Sequence, residues 1–217
     1  MTRVNIHKIL KPAVFVVCLW PLYKNIDLFF NGDLANPVEY VTHATGDWSL
    51  RFLMIVLAVT PVKILTGYTA ILRYRRMLGL YAFFYVCVHL SIYWFLDVLQ
   101  NVDETFSQAL GYIAEDILER PYITVGFTAF LLLIPLAVTS TRNFRRNMGK
   151  KWIRLHKLVY VIAVLGVVHY FWLVKKDLRE PIMYASILAV LFLIRIIAYY
   201  REKAIKKGKS GSDHSLC

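Results

Sequence analysis

The side chains best suited to chemistry are three histidines: His89 in VCVHLSIY, His156 in IRLHKLVY and His169 in VVHYFWLV. Each sits inside or at the end of a run that is otherwise apolar. An ionisable group in such a run is costly, and it serves as a ligand, a proton carrier or an interhelical hydrogen-bonding group. His7, His43 and His214 fall in an N-terminal arm, an expected outer loop and a polar C-terminal stretch, where a solvated imidazole is the ordinary state.

The elements that must position these histidines are apolar helices. Hydrophobic residues make up 58% of the 217-residue chain, above the roughly 45–50% of soluble domains. A hydrocarbon core about 30 Å thick is crossed by about 20 apolar residues, and six such stretches occur, at 12–30, 48–66, 77–96, 121–141, 153–174 and 181–200. The expected fold is therefore an all-α integral membrane protein, a six-transmembrane-helix bundle occupying residues 1–205. Residues 206–217 read as a disordered basic cytoplasmic tail. The first stretch reads as a retained helix, because no small-residue cleavage pattern precedes Trp20 and Pro21.

The net charge of +12 is sorted by loop and not pooled on one face, which argues against nucleic acid as a partner. Lys and Arg concentrate in residues 1–11, 63–76, 142–154 and 195–209, and of the 14 acidic residues only Glu202 and Asp213 lie on that side. By the positive-inside rule both termini are cytoplasmic and the loops near 31–47, 97–120 and 175–180 face outward. In the long acidic outer loop, Phe106, Leu110, Ile113 and Ile117 recur at helical spacing and predict a short amphipathic surface helix. Pro21, Pro61 and Pro135 sit within spans, as ordinary kinks.

Counted from the inner surface, His89 stands roughly 18 Å along span 3, His169 roughly 24 Å along span 5, and His156 only about 5 Å along span 5. His89 and His169 thus share the outer half of the bilayer. With no carboxylate beside them they do not suit calcium or di-iron, whereas neutral imidazole is a good axial ligand for haem iron. The absence of C-x-x-C-H, with only Cys18, Cys87 and Cys217 present, makes that a b-type rather than a covalently attached haem. Tyr85, Tyr93, Trp94, Tyr170, Phe171 and Trp172 flank the pair, either as haem walls or as an interfacial belt.

An inner site is less complete. On a straight helix His156 and His169 point about 140° apart, so serving two stacked haems requires span 5 to bend or bulge, with Gly166 the nearest small residue. Span 3 carries Arg75 and Arg76 where a second histidine would stand. Either they are positive-inside anchors, or one contacts an inner haem by its iron or propionates.

Two segments echo each other. LAVT (57–60), RYRRMLG (73–79) and His89 are followed by LAVT (136–139), FRRNMGK (144–150) and His169, at offsets near 80 residues. This is either a parallel internal repeat or a chance likeness of two leucine-rich helix pairs with basic loops.

RRMLGLYAFFYVCVHLSIYW (75–94), ERPYITVGF (119–127) and LAVTSTRNFRRNMGKKWIRLHKLVYVIAVLGVVHYFWLVK (136–175) resemble the haem-binding membrane subunit of bacterial protein-methionine-sulfoxide reductase systems, in the ferric-reductase-like transmembrane superfamily. The likeness spans most of the chain. It implies one or two b-type haems, associated with His89, His156, His169 and Arg75, and an FMN that no stretch here locates. It also implies electrons taken from the quinone pool or a cytoplasmic flavin reductase and passed to a periplasmic molybdopterin-containing catalytic partner that repairs oxidised envelope proteins. The setting would be the bacterial inner membrane.

Three other readings stand beside it. A metal reductase of the same superfamily would normally carry its own flavin and nicotinamide domain, and no G-x-G-x-x-G fingerprint is present. A histidine-relay proton channel needs a polar path, and the middle of spans 3, 5 and 6 offers little besides His89 and Ser91. In a plain structural anchor, the histidines would merely pack.

Overall fold

The computed structural model describes residues 6–98, 106–174 and 177–213, with side chains described for residues 10–96, 111–174 and 177–206. His7, Phe106, Leu110 and His214 lie outside the residues whose side chains are described. In chain order the helices are α1 (Ile6–Asn31), α2 (Pro37–Thr66), α3 (Arg75–Ile92), α4 (Phe106–Glu119), α5 (Pro121–Val138), α6 (Arg142–Met148), α7 (Lys150–Leu155), α8 (Leu158–Leu173) and α9 (Arg179–Asp213). A 3-10 turn, Thr69–Arg73, leads into α3, and α3 ends in a π-helical turn, Tyr93–Val98. Six segments are long and apolar enough to cross a membrane: Leu10–Asn31, Pro37–Thr66, Arg75–Leu96, Pro121–Val138, Lys150–Leu173 and Arg179–Lys206. No strand occurs among the described residues.

The second span begins well before the position expected from hydropathy. Residues 37–47 belong to α2 and not to an outer loop, so His43 lies on a helix. The start is set by capping chemistry: the Asn36 side chain accepts the Glu39 amide at 3.1 Å, Pro37 occupies the first turn, and Glu39 adds a carboxylate there. At the other end Gly67, at φ +71°, closes the helix by donating to Lys63 O at 2.9 Å. The expected domain boundary at residue 206 falls within α9, which continues to Asp213.

Within α2's most apolar window 50% of residues are buried by protein, against 17–22% in the other spans, which makes α2 the central helix. It packs against α1, α3, α8 and α9, and the most extensive pairings are α2 with α3 and α5 with α8. Thr45 and Ser49, buried on α2, return their hydroxyls to Val41 O and Thr45 O, both at 2.8 Å, so close packing leaves no orphan polar group there.

The turn of α1 around Pro21 shows how lipid-embedded backbone is repaired. Pro21 removes one amide from the helix, and next to it the Tyr85 hydroxyl of α3 inserts between two groups that would otherwise pair. It donates to Cys18 O at 2.9 Å and accepts from Leu22 N at 3.2 Å. Tyr81 donates to Phe15 O at 2.8 Å one turn earlier. Side chains from a neighbouring helix thus re-satisfy a broken hydrogen-bond ladder.

The amphipathic surface helix is present as α4. Ile113 packs on Tyr93 and Trp94 at the end of α3 and on Ile117 of its own helix. Tyr93 Oη donates to Asp116 at 2.7 Å, and Arg120 pairs with Asp116 at 2.9 Å, fixing α4 over that end of the bundle.

Candidate functional site

His89 of α3 and His169 of α8 meet inside the bundle. Their ring centroids are 6.4 Å apart and the ring planes stand at 79°. Each Nδ1 faces a backbone carbonyl, Thr42 O at 2.9 Å for His89 and Tyr122 O at 2.6 Å for His169. A carbonyl can only accept, so Nδ1 carries the proton and Nε2 keeps its lone pair. This is how a ligating histidine is oriented and its tautomer fixed.

The two halves of the site are built alike. The carbonyl donor residues Thr42 and Tyr122 are 80 positions apart, as are the histidines, and a glycine lies one helical turn beyond each carbonyl, Gly46 and Gly126. A Cβ at Gly46 would lie 3.1 Å from His89 Cε1, and one at Gly126 would lie 2.6 Å from His169 Nδ1. On each helix, residue i supplies the carbonyl and residue i+4 the space, because both fall on one face. The internal echo in the sequence therefore corresponds to two equivalent helix pairs, α2–α3 and α5–α8. The glycines and carbonyl donors escaped the sequence reading, although their offset equals that of the histidines and could have revealed them.

The donor set fits an axially ligated metal. Two metal–imidazole bonds of about 2 Å each, plus the distance from each nitrogen to its ring centre, span about 6 Å, close to the observed separation. Among the described residues no cluster of three or more His, Cys, Asp or Glu gathers for a metal ion.

His156 stands apart, at the N-terminal part of span 5, far along the span from His169. That span is not one straight helix: it breaks at His156–Lys157, between α7 and α8, where Lys157 N bonds Arg154 O and Tyr160 N bonds Lys157 O in tightened three-residue steps. The interruption of span 5, which two stacked haems would require as a bend or bulge, falls at His156 itself and not near Gly166. The His156 ring stacks on Trp152 at 3.8 Å with its Nδ1 3.2 Å from Trp152 O, while Trp152 Nε1 donates to Thr139 O at 2.9 Å.

Arg75, the first residue of α3, acts electrostatically on both His156 and Arg195. Arg195 of α9 was not singled out from sequence, where it reads as one more inner-side cation. In the fold it is half-buried, donates to Leu57 O at 2.6 Å and lies 5.4 Å from the Tyr160 ring centre. No ion pair among the described residues involves Arg75 or Arg195. This end of the bundle therefore gathers positive charge suited to an anionic group. Arg76 is exposed and joins no such cluster.

A bundle of six apolar helices with a capped imidazole pair between two equivalent helix pairs defines a multi-pass membrane protein. Residues 45–167 match the family described as ferric reductase like transmembrane component. The chain is 51% identical over 193 residues to a Rhodospirillum rubrum protein named protein-methionine-sulfoxide reductase heme-binding subunit MsrQ, covering 88% of this chain and 89% of that one. Proteins of the same name from Xanthomonas euvesicatoria pv. vesicatoria and Xanthomonas oryzae pv. oryzae are 53% and 54% identical, over 75% and 72% of this chain and 71% and 68% of theirs. The chain belongs to the ferric-reductase-like transmembrane family and, within it, to the family of these methionine-sulfoxide reductase subunits.

Proposed function

We propose that this protein is a b-type cytochrome that carries electrons across the membrane for a methionine-sulfoxide reductase. The observation that supports this most directly is the pair of Nδ1-capped imidazoles 6.4 Å apart. His89 and His169 would hold one haem through Nε2, and Gly46 and Gly126 would leave room for the rings. When bound, haem supplies a one-electron couple. The chain's own residues supply ligation, orientation and an apolar sheath: Thr42 and Tyr122 fix the tautomers, and α2 keeps water from the pair.

On the inner side, Arg75, His156 and Arg195 would receive a second anionic cofactor, either a second haem through its propionates or FMN through its phosphate. By the positive-inside rule that end and both termini would face the cytoplasm, in a bacterial inner membrane. The donor is the quinone pool or a cytoplasmic flavin reductase. The acceptor is a periplasmic molybdopterin-containing catalytic subunit, seated on the outer face where α4 is pinned by Tyr93 and Arg120 to Asp116. Both Nδ1 atoms being held by carbonyls weighs against a proton relay, which needs both ring nitrogens free to exchange.

An absorption spectrum of the purified chain tests the proposal. A Soret band that shifts on dithionite reduction is expected; its absence after haem supplementation would remove the electron-transfer reading.

A further inference from the structure

A strongly basic patch lies outside the histidine pair, on the short helices α6 and α7 that join the fourth and fifth spans. Between Glu119 and Asp177 the chain carries no acidic residue. Arg142, Arg145 and Arg146 of α6 and Lys150, Lys151 and Arg154 of α7 are all exposed, and none of them makes an ion pair among the described residues. The patch therefore has positive charge with no counter-charge inside the protein. Gly149, at a positive φ of 51° that favours glycine, makes the turn between the two helices and brings their cations to one corner.

The apolar residues of the same segment define the partner's chemistry. Helical spacing puts Arg142, Arg145 and Arg146 on one face of α6 and Phe144 and Met148 on the opposite one, the pattern of a helix lying in a membrane interface. Phe144 is 44% exposed and Ile153 of α7 is 56% exposed. The fourth span ends at Val138 and the fifth begins at Lys150, so the connection is too short to leave the level of the lipid headgroups: α6 itself is only about 10 Å long. An acidic soluble protein could match the cations alone. A lipid supplies both a phosphate for the cations and acyl chains for Phe144 and Ile153.

We infer that the corner between α6 and α7 is a binding site for the headgroup of an anionic phospholipid, with Arg145, Arg146 and Lys150 around Gly149 at its centre. The site is joined to His156 through Trp152. That indole stacks on the imidazole at 3.8 Å and donates from Nε1 to Thr139 O, at the end of α5, at 2.9 Å. A lipid that holds α6 and α7 at the interface thus also steadies the segment on which His156 rests.

The test uses the full chain, delipidated in detergent and titrated with phosphatidylglycerol or phosphatidylcholine, with bound lipid counted by native mass spectrometry. Half-occupancy by phosphatidylglycerol is expected at a concentration at least tenfold below that for phosphatidylcholine, the gap narrowing as salt rises. The triple variant Arg145→Gln, Arg146→Gln, Lys150→Gln should shrink the gap at least fivefold. A control triple variant, Arg201→Gln, Lys203→Gln, Lys206→Gln, removes equal charge from exposed positions far along α9 and should leave the gap within twofold. Should the first triple variant fail to stay monodisperse, Arg146→Gln alone is expected to shrink the gap at least twofold. An unchanged gap in the folded corner variant overturns the site, and so does equal loss in the two triple variants, which would mean that net charge alone attracts lipid. Polyglutamate binding that excess phosphatidylglycerol does not displace would point to an acidic protein and overturn the lipid assignment, as would displacement of phosphatidylglycerol by equimolar inorganic phosphate.

Discussion

Gly126 and His169 lie so close that a Cβ on residue 126 would stand 2.6 Å from the imidazole Nδ1, whereas the matching approach of Gly46 to His89 is 3.1 Å. The first distance is below any ordinary carbon–nitrogen contact and involves a ring already fixed by Tyr122 O. The second asks the ring to give by only a few tenths of an ångström.

Gly126→Ala should therefore lose most of its haem, and Gly46→Ala should keep a substantial fraction with a broadened spectrum. Soret absorbance per polypeptide measures both. Equal loading of the two variants would mean that helix approach does not shape the site.

His89→Ala and His169→Ala should each lose the same haem signal, because the proposed site needs both imidazoles. His156→Ala should leave that signal and disturb a separate one, since His156 stacks on Trp152 at the other end of span 5. Haem quantification with reduced-minus-oxidised spectra checks this. Complete and equal loss in all three variants would point to a single shared site.

Arg195→Leu removes the hydrogen bond to Leu57 O and the cation over Tyr160. A spectroelectrochemical titration should show the inner component lowered in potential, because a positive charge near an anionic cofactor favours its reduced form. The component that depends on His89 and His169 should stay in place.

Tyr85→Phe leaves Cys18 O and Leu22 N without the hydroxyl that bridges them at the turn of α1 around Pro21. With about 1–3 kcal/mol lost for a buried unsatisfied group, a destabilisation of about 2 kcal/mol is expected. A lower midpoint of thermal or denaturant unfolding reads it out, with the haem spectrum retained at low temperature. An unchanged midpoint would mean that the α1 backbone closes its own ladder once the hydroxyl is gone.

Much of the architecture was legible because lipid imposes a simple rule. A span must be apolar and about 20 residues long, and its flanking charges sort by side; runs such as 121–141 and 181–200 satisfy this in any tertiary arrangement. The start of α2 was missed for the same reason: EYVTHATGDWS is too polar to register as a span, and only capping at Asn36 with packing against α1 and α3 makes it helical. The break at His156–Lys157 was invisible for another reason, since no proline or glycine marks it.

The sequence by itself determined that His89 and His169 share a depth, because depth follows from rise per residue along a helix whose ends are set by the bilayer. It also held the 80-residue echo that links them. The tertiary structure alone decided which groups face the histidines. Thr42 O, Tyr122 O, Gly46 and Gly126 come from other helices, and their approach depends on how α2 rotates against α3 and α5 against α8. Rotation about a helix axis is fixed by side-chain packing between neighbours, a property of pairs of segments that no single apolar run contains.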